Sequence, residues 1–425
     1  MAQSVCFVST YPPRQCGIAS FTRDLIQGLE QAAGKALAIR VLAMGDGHAY
    51  TYPDEVLREI PEDEPQAYVE AAQLANETSD VVCIQHEYGI FGGEAGEHIL
   101  GLARALERPL ITTLHTVLPD PSRQELRVLQ ELAHRSERVV VMSRAAIPIL
   151  SQRYGIPVSK IRLIRHGAPH LPVDPQAKTK LGLEDRVVMS TFGFIGPGKG
   201  LEYAIDTVAR LAEDHPKLLY LILGRVHPRL EQGQGPAYRR RLEERVQALD
   251  LGDHVRFVDR YLSLEELSLY LSATDIYFTP YPGRNQISSG TLTFALATGR
   301  AIVSTPYLYA QDVLGGGRGL LVPFSDPDAM AAGIRRLLEE PGLLTTLQRR
   351  AQAFARQLPW ATVARQYVEL FREMTEPARA RARRRLGHGP KVVTPWGTKP
   401  ARVAMAEEGK VHGGRAGRSH GLAAR

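Results

Sequence analysis

Two stretches of this chain repeat one rhythm: a short apolar run rich in Val, Ile and Leu, an amphipathic helical segment, then another apolar run. An apolar run without polar alternation has no face to offer water. Such strands are buried on both sides, which calls for a parallel sheet covered by the intervening helices. In the first stretch the runs are SVCFVST (4–10), AIRVLAM (38–44), DVVCIQ (80–85), PLITTLHT (109–116), RVVVMS (138–143) and KIRLI (160–164). Between them Phe21, Leu25, Ile26 and Leu29 form one apolar helix face, and Ile99, Leu100, Ala103 and Leu106 another. The rhythm breaks over HGAPHLPVDPQAKTK (166–180), whose prolines and few large apolar residues mark an interdomain linker. It restarts with VVMSTFGF (187–194), LLYLILG (218–224), VRFV (255–258), DIYFTP (275–280), AIVST (301–305) and GLLVPF (319–324). Two further helices are predicted over 326–358, and a last one follows the turn at Pro359–Trp360. The expectation is an α/β protein of two doubly wound domains facing a central cleft. Ligands of such sheets sit beyond the carboxyl ends of the strands, so the strand-to-helix loops are where chemistry is sought.

The 425 residues, 44% hydrophobic and 23% charged, suffice for two cores. No apolar run approaches the ~20 residues needed to cross a bilayer. The start MAQSVCFVST leads straight into an apolar segment and reads as a core strand, not a signal peptide. Cys6, Cys16 and Cys83 lack metal-ligand spacing, so a reduced, cytoplasmic setting is expected. The net charge of +6 suggests nucleic acid until it is localised. Residues 377–425 hold twelve Lys/Arg against two Glu, so the first 376 residues carry −4. The body is mildly acidic, and no specific nucleic acid is expected as partner. The Gly-, Arg- and Pro-rich tail is expected to be disordered. Its arginines suit nonspecific contact with anionic lipid or RNA, but a solubilising or neutral extension is the preferred reading.

Five segments carry candidate chemistry. In TYPPRQCGIASFTRDL, Gly17 opens a helix just after the first strand, where free amides can meet a phosphate; a plain turn glycine is the other reading. GFIGPGKG (193–200) nearly spells a nucleoside-triphosphate loop, but Gly200 stands where Ser or Thr would hold magnesium. Triphosphate hydrolysis is therefore not expected, while Lys199 can neutralise a diphosphate or simply be a solvated lysine. His86 and Glu87 in CIQHEYG and His115 in TLHT follow neighbouring buried strands, suited to accepting a proton or orienting a hydroxyl; a structural histidine is the alternative. In YPGRNQISSGTLTFALATGRAIVST (281–305), Arg284 and Gln286 flank a polar loop leading into a helix near Ser289. Its first amides can hold phosphate oxygens, or Ser288 or Ser289 merely caps it. Asp326-Pro327-Asp328 matches a metal-binding Asp-x-Asp pattern, yet reads better as an N-cap with proline at the first helical position. No metal is expected.

Taken together these motifs resemble the family 4 glycosyltransferases, retaining enzymes of the GT-B fold with two Rossmann-like domains. The likeness spans roughly residues 4–375 and keeps the order: the Gly17 loop, TLHT, VVVMS, IRLIRHGAP, GFIGPGKG, LILG, VRFVDRY, ATDIYFTPY, ALATGRAIVST and GRGLLVPFSDPDAM. HEYGIFGGEAGEHIL with QISSGTLTFALATG is similar to a bacterial subgroup linked to mannoside metabolism. The resemblance implies an acceptor domain at 1–169, a nucleotide-sugar donor domain at 170–358, a helix at 359–376 crossing back to the first domain, and the tail 377–425. It implies that Lys199, Gly17 and the amides of Ser289, Gly290 and Thr291 hold the donor diphosphate, and that His115 lies beside the transferred sugar. His86, Glu87, Ser143 and His166 would line the cleft. Two departures stand out. The family's Glu, seven residues, Glu falls on Gln286 and Phe294, and an arginine ordinarily found after the loop glycine is Phe194. Gln286 then occupies a catalytic position, and Arg225 or Arg284 is the candidate for the missing positive charge.

The expected reaction is retaining transfer of a hexosyl group from a nucleotide-diphosphate sugar to a hydroxyl, without a metal or other cofactor. A glycoside phosphorylase of similar architecture needs a cofactor-anchoring lysine that is not identifiable here. A non-catalytic nucleotide-sugar sensor is made plausible by the altered Glu pair and would bind donor without turnover. No strand leads into Gly-x-Gly-x-x-Gly with a downstream acid, which argues against a dinucleotide dehydrogenase.

Overall fold

The computed structural model describes residues 3–226 and 234–386. Most of the expected basic tail, from 387 onward, lies outside the described residues. The first sheet contains β1 (Gln3–Ser9), β2 (Leu37–Gly45), β3 (Val56–Pro61), β4 (Val81–His86), β5 (Leu110–Leu114), β6 (Arg138–Val141) and β7 (Ile161–Leu163). Its order is β3-β2-β1-β4-β5-β6-β7. The second contains β8 (Val187–Phe192), β9 (Leu218–Leu223), β10 (Val255–Val258), β11 (Ile276–Thr279), β12 (Ala301–Ser304) and β13 (Leu320–Leu321), in the order β10-β9-β8-β11-β12-β13. Every strand pairing is parallel. The doubly wound α/β expectation therefore holds for both halves.

Parallel strands need crossovers, and the crossovers bury the strands on both faces. Val5, Cys6, Phe7 and Val8 are all fully buried, as are Val81, Val82, Cys83 and Ile84 on the neighbouring strand. The helix Gly17–Ala33 turns its predicted face, Phe21, Leu25, Ile26 and Leu29, inward. Removing each such side chain from water contributes about 1.5–3 kcal/mol before chain entropy is charged.

Two expectations about strands need correction. β3 was not foreseen: VLREIP carries Arg58 and Glu59 and is only partly buried, because an edge strand keeps one side in water. The run 319–324 shrinks to the two residues of β13, since Pro323 cannot donate to the ladder. The linker 166–180 is not wholly irregular either, as it ends in a short helix, Ala177–Leu181.

The last helix, Trp360–Leu386, runs further than expected. Its first half returns to the first sheet. Gln3 Nε2 donates to the Phe371 carbonyl at 2.6 Å, and the Thr113 and Tyr367 hydroxyls meet at 3.0 Å. Phe7 and Phe371 pack edge to face, 6.2 Å apart. One continuous apolar cluster joins Phe7 and Leu25 to Tyr277 of the second sheet, to Tyr281 just beyond it, and to Trp360 and Phe371. Gly28 permits this closeness, for a Cβ there would lie 3.0 Å from the Trp360 carbonyl oxygen. Among the described residues, no helix is long and apolar enough to cross a membrane.

Candidate active site

In each sheet the strand order reverses at one place. β1 lies between β2 and β4, and β8 between β9 and β11, so the loops leaving these central strands diverge and open a crevice. Gly17 follows β1, Lys199 follows β8, and the loop to Ser289 follows β11. These loops meet around one cavity of about 520 Å³. Its lining joins Gly17, Phe21, His115 and His166 from the first half to Gly193, Phe194, Lys199, Ser288, Gly290 and Thr291 from the second.

Two helices begin at this cavity. Cys16 caps the helix Gly17–Ala33 by accepting from the Ala19 amide at 3.3 Å. Ser289 caps the helix Gly290–Ala297 by accepting from the Leu292 amide at 3.3 Å. In each case the first amides have no partner inside the helix and carry the positive end of its dipole. Lys199 adds a full charge: its Nζ donates to the Tyr281 hydroxyl at 3.1 Å and sits 4.4 Å from that ring's centre. The Tyr281 and Thr291 hydroxyls are 3.0 Å apart, so ammonium, phenol and helix start form one cationic wall.

Gly200, where a triphosphate loop would place a hydroxyl, has a structural cause. Its φ of +62° is left-handed, and a Cβ would fall 2.2 Å from the Pro280 carbonyl oxygen. No side chain fits.

On the opposite wall stand two buried histidines. His115 Nε2 donates to Gln85 Oε1 at 3.0 Å, which leaves Nδ1 as an acceptor. His166 Nδ1 donates to the Gly167 carbonyl at 2.6 Å, and its Nε2 faces Gly290. Phe21 sits edge-on between them, 4.6 Å from His115 and 5.0 Å from His166. Burial lowers both imidazoles, to about 3 and about 4, and the nearby His166 and His86 add to the effect at His115. Both are neutral near pH 7. Ser288 Oγ donates to the His115 carbonyl at 2.9 Å, tying the two halves together at the cavity floor.

Several expected cleft residues lie elsewhere. His86 is fully buried beneath Tyr88 and Phe91, because the chain folds back over the strand end, and burial lowers its imidazole to about 4. Glu87 accepts from the Thr116 hydroxyl at 2.6 Å, and burial raises its carboxyl. Ser143 points away from the cavity into an ion cluster, donating to Asp312 Oδ2 at 3.1 Å. Arg284 lies over the Phe324 ring at 4.7 Å. Gln286 braces its own loop, donating to the Ser288 carbonyl at 3.0 Å, and does not line the cavity. Arg225 donates to Gln15 at 3.0 Å across the cleft and lines a neighbouring cavity. Asp326 caps a helix by accepting from the Ala329 amide at 3.0 Å, as expected. Sequence reasoning missed Tyr281, although it stands in the segment singled out, and missed Asp312 altogether.

This fold and cavity define a two-domain α/β architecture built around a cationic crevice. Residues 17–170 match the Glycosyltransferase Family 4 domain, and residues 174–357 match the glycosyl transferases group 1 domain. The chain belongs to the group 1 glycosyltransferases of the GT-B fold. It is 25% identical over 297 residues to a D-inositol 3-phosphate glycosyltransferase of Kineococcus radiotolerans, covering 63% of this chain and 67% of the relative. It is 27% identical over 277 residues to a phosphatidyl-myo-inositol mannosyltransferase of Mycolicibacterium smegmatis, covering 63% and 66%. The chain thus spans about two thirds of the length of these curated relatives. Among solved structures, Anabaena HepE in complex with UDP and glucose superposes with a TM-score of 0.70 at 19% identity, covering 87% of this chain and 100% of that one. Sucrose-phosphate synthase from Thermosynechococcus elongatus gives 0.71 at 21%, covering 88% and 100%.

Proposed function

We propose that this chain transfers a hexosyl group from a nucleotide-diphosphate sugar to a hydroxyl acceptor with retention of anomeric configuration. The observation that carries the reading is the convergence of Lys199 and two helix starts on one cavity. A pyrophosphate group is the common ligand that matches a compact cationic centre flanked by fixed amides. As the anomeric C–O bond breaks, the bonding pair moves onto the leaving diphosphate. Lys199 and the amides of Gly290 and Thr291 meet that charge where it develops.

The make-up of the cavity lining supports the retaining reading. No residue lining the cavity, among those described, carries a carboxylate to serve as a covalent nucleophile or a distant base. The acceptor oxygen then enters on the face the diphosphate leaves, and its proton passes to the departing phosphate oxygen. His115, neutral, offers its Nδ1 to a sugar hydroxyl. On this reading Lys199 and the helix amides supply the positive charge that a metal ion would otherwise bring to the diphosphate. Because the relatives carry names of inositol-phosphate glycosylation and mannosyl transfer, and HepE was solved with UDP and glucose, inositol phosphate as acceptor and a UDP-hexose as donor are the first substrates to assay.

Thermal shift with UDP, GDP and ADP should single out one nucleotide, since a bound ligand stabilises by mass action. Lys199→Ala should weaken that nucleotide about 30-fold or more by calorimetry, as expected for removing a charged hydrogen bond. Unchanged affinity in the variant would sink the assignment. Donor binding without turnover on any acceptor would favour a nucleotide-sugar sensor instead.

A further inference from the structure

A second cavity, of about 410 Å³, adjoins the first and shares Gly193 and Phe194 with it. Whatever lies against Lys199 has this cavity as its continuation. Its walls are largely apolar. Phe194 and Tyr261 stand 6.3 Å apart at 40°, and Phe294 closes the floor beside Phe192. Tyr261 is 57% exposed, an unusual cost for a large aromatic unless its face is used. Such a slot suits a flat heteroaromatic ring.

A nucleoside also brings a sugar diol between ring and phosphates, and a diol asks for an acceptor that takes both hydroxyl hydrogens. A carboxylate does this best, as in dinucleotide-binding folds. The second domain offers none here: its contributions to the cavity are aromatic, aliphatic, Ser263 and Arg225. Among the lining residues the one carboxylate is Asp24, which comes from the other domain, on the helix Gly17–Ala33. Arg23 Nε and Nη2 both donate to its Oδ1, at 3.2 and 2.9 Å, so one oxygen takes up the arginine. The Asp24 side chain is 15% exposed, so a hydrogen bond to it is little diluted by water. Burial raises its carboxyl, and Arg23 and the Trp360 indole offset part of that.

We propose that Asp24 is the ribose-diol acceptor for the donor nucleotide, reaching across the cleft from the first domain. This rests on the nucleotide-sugar reading above. It also gives the cleft a reason to close, because the nucleotide then bridges Lys199 on one domain and Asp24 on the other.

The test uses the full chain and calorimetry. The nucleotide selected by thermal shift is compared with its 2′-deoxy and 3′-deoxy forms and with inorganic pyrophosphate. The intact protein should prefer the ribonucleotide by about tenfold or more, the scale of a hydrogen bond to a charged group. Asp24→Asn should shrink that preference to within about twofold. Its pyrophosphate affinity should match that of the unaltered chain. Asp24→Ser serves the same purpose should the Asn variant melt early. A full ribose preference retained in either folded variant overturns the role of Asp24 alone, as does an unaltered chain that ignores the diol. Failure of every nucleoside diphosphate to bind overturns the functional reading and this inference together.

Discussion

At the scale of single residues, the three histidines at the first domain's strand ends show how burial decides behaviour. His86, His115 and His166 are lowered from the usual range near 6.5 to about 4, 3 and 4, chiefly by desolvation. A native pKa below the unfolded one means the fold favours the neutral imidazole. The stabilisation is therefore complete above about pH 6.5 and is lost as pH falls toward 4, where the unfolded chain takes up protons the native one refuses. The urea midpoint should drop across that window. His86 isolates the effect from ligand binding, since neither of its ring nitrogens meets a protein partner and it lies between Tyr88 and Phe91. His86→Phe should flatten part of the acid slope while leaving nucleotide affinity at pH 7.5 unchanged. An unaltered slope would show that the ring is reached by water in the native state.

At the scale of elements, what was legible in the sequence was whatever burial forces into a simple pattern. Central strands such as DVVCIQ and LLYLILG are apolar throughout because both faces are covered, and their ends could be read as site positions. Gly17, Lys199, His115, Gly290 and Thr291 were singled out from such loops and His166 from the family resemblance, and all six line one cavity. Edge strand β3 was not, since half of it answers to solvent. Neither was the direction of a side chain at or just past a strand end. Ser143 and His86 sit at such positions and turn away, the first to an aspartate 169 residues downstream, the second under a refolded loop. Asp24 was hidden for a different reason: on an amphipathic helix a polar residue reads as solvated, and only tertiary placement makes it a cavity wall. The short helix Gly290–Ala297 illustrates an element whose value is its first turn. Ser289 is 5% exposed and supplies the cap that fixes the Gly290 and Thr291 amides. Ser289→Ala should cost about 1 kcal/mol in urea unfolding. Because those amides face the phosphate site, nucleotide affinity should fall as well. A stability loss with affinity untouched would remove this helix start from the binding site.

At the scale of the whole molecule, the two halves are joined by more than the returning helix. Asp312, on the helix Leu308–Leu314 of the second domain, accepts from three groups of the first. These are the Arg144 amide at 2.6 Å, Ser143 Oγ at 3.1 Å and the Arg165 guanidinium, whose Nη2 lies 3.1 Å from Oδ1. The Arg165 and Asp312 side chains are only 10% and 9% exposed. Burial alone would raise the Asp312 carboxyl, but Arg165 and the other donors win and hold it below the usual carboxylate range. Such a cluster need not stabilise the fold more than an apolar contact of the same shape would, since two charges were desolvated to make it. Its directional bonds do fix one relative placement of the domains, and with it the distance between the His115 wall and the Lys199 wall. Removing one partner leaves the other charge buried, so Asp312→Ala should cost about 3–5 kcal/mol. Arg165→Met with Asp312→Leu, which removes both charges, should recover most of that loss in urea unfolding. If the cluster also sets the cleft, the double variant will regain stability while its donor KM stays high, because the apolar pair restores burial without restoring the register. Recovery of stability and KM together would mean that the returning helix and the shared apolar core hold the two halves in place unaided.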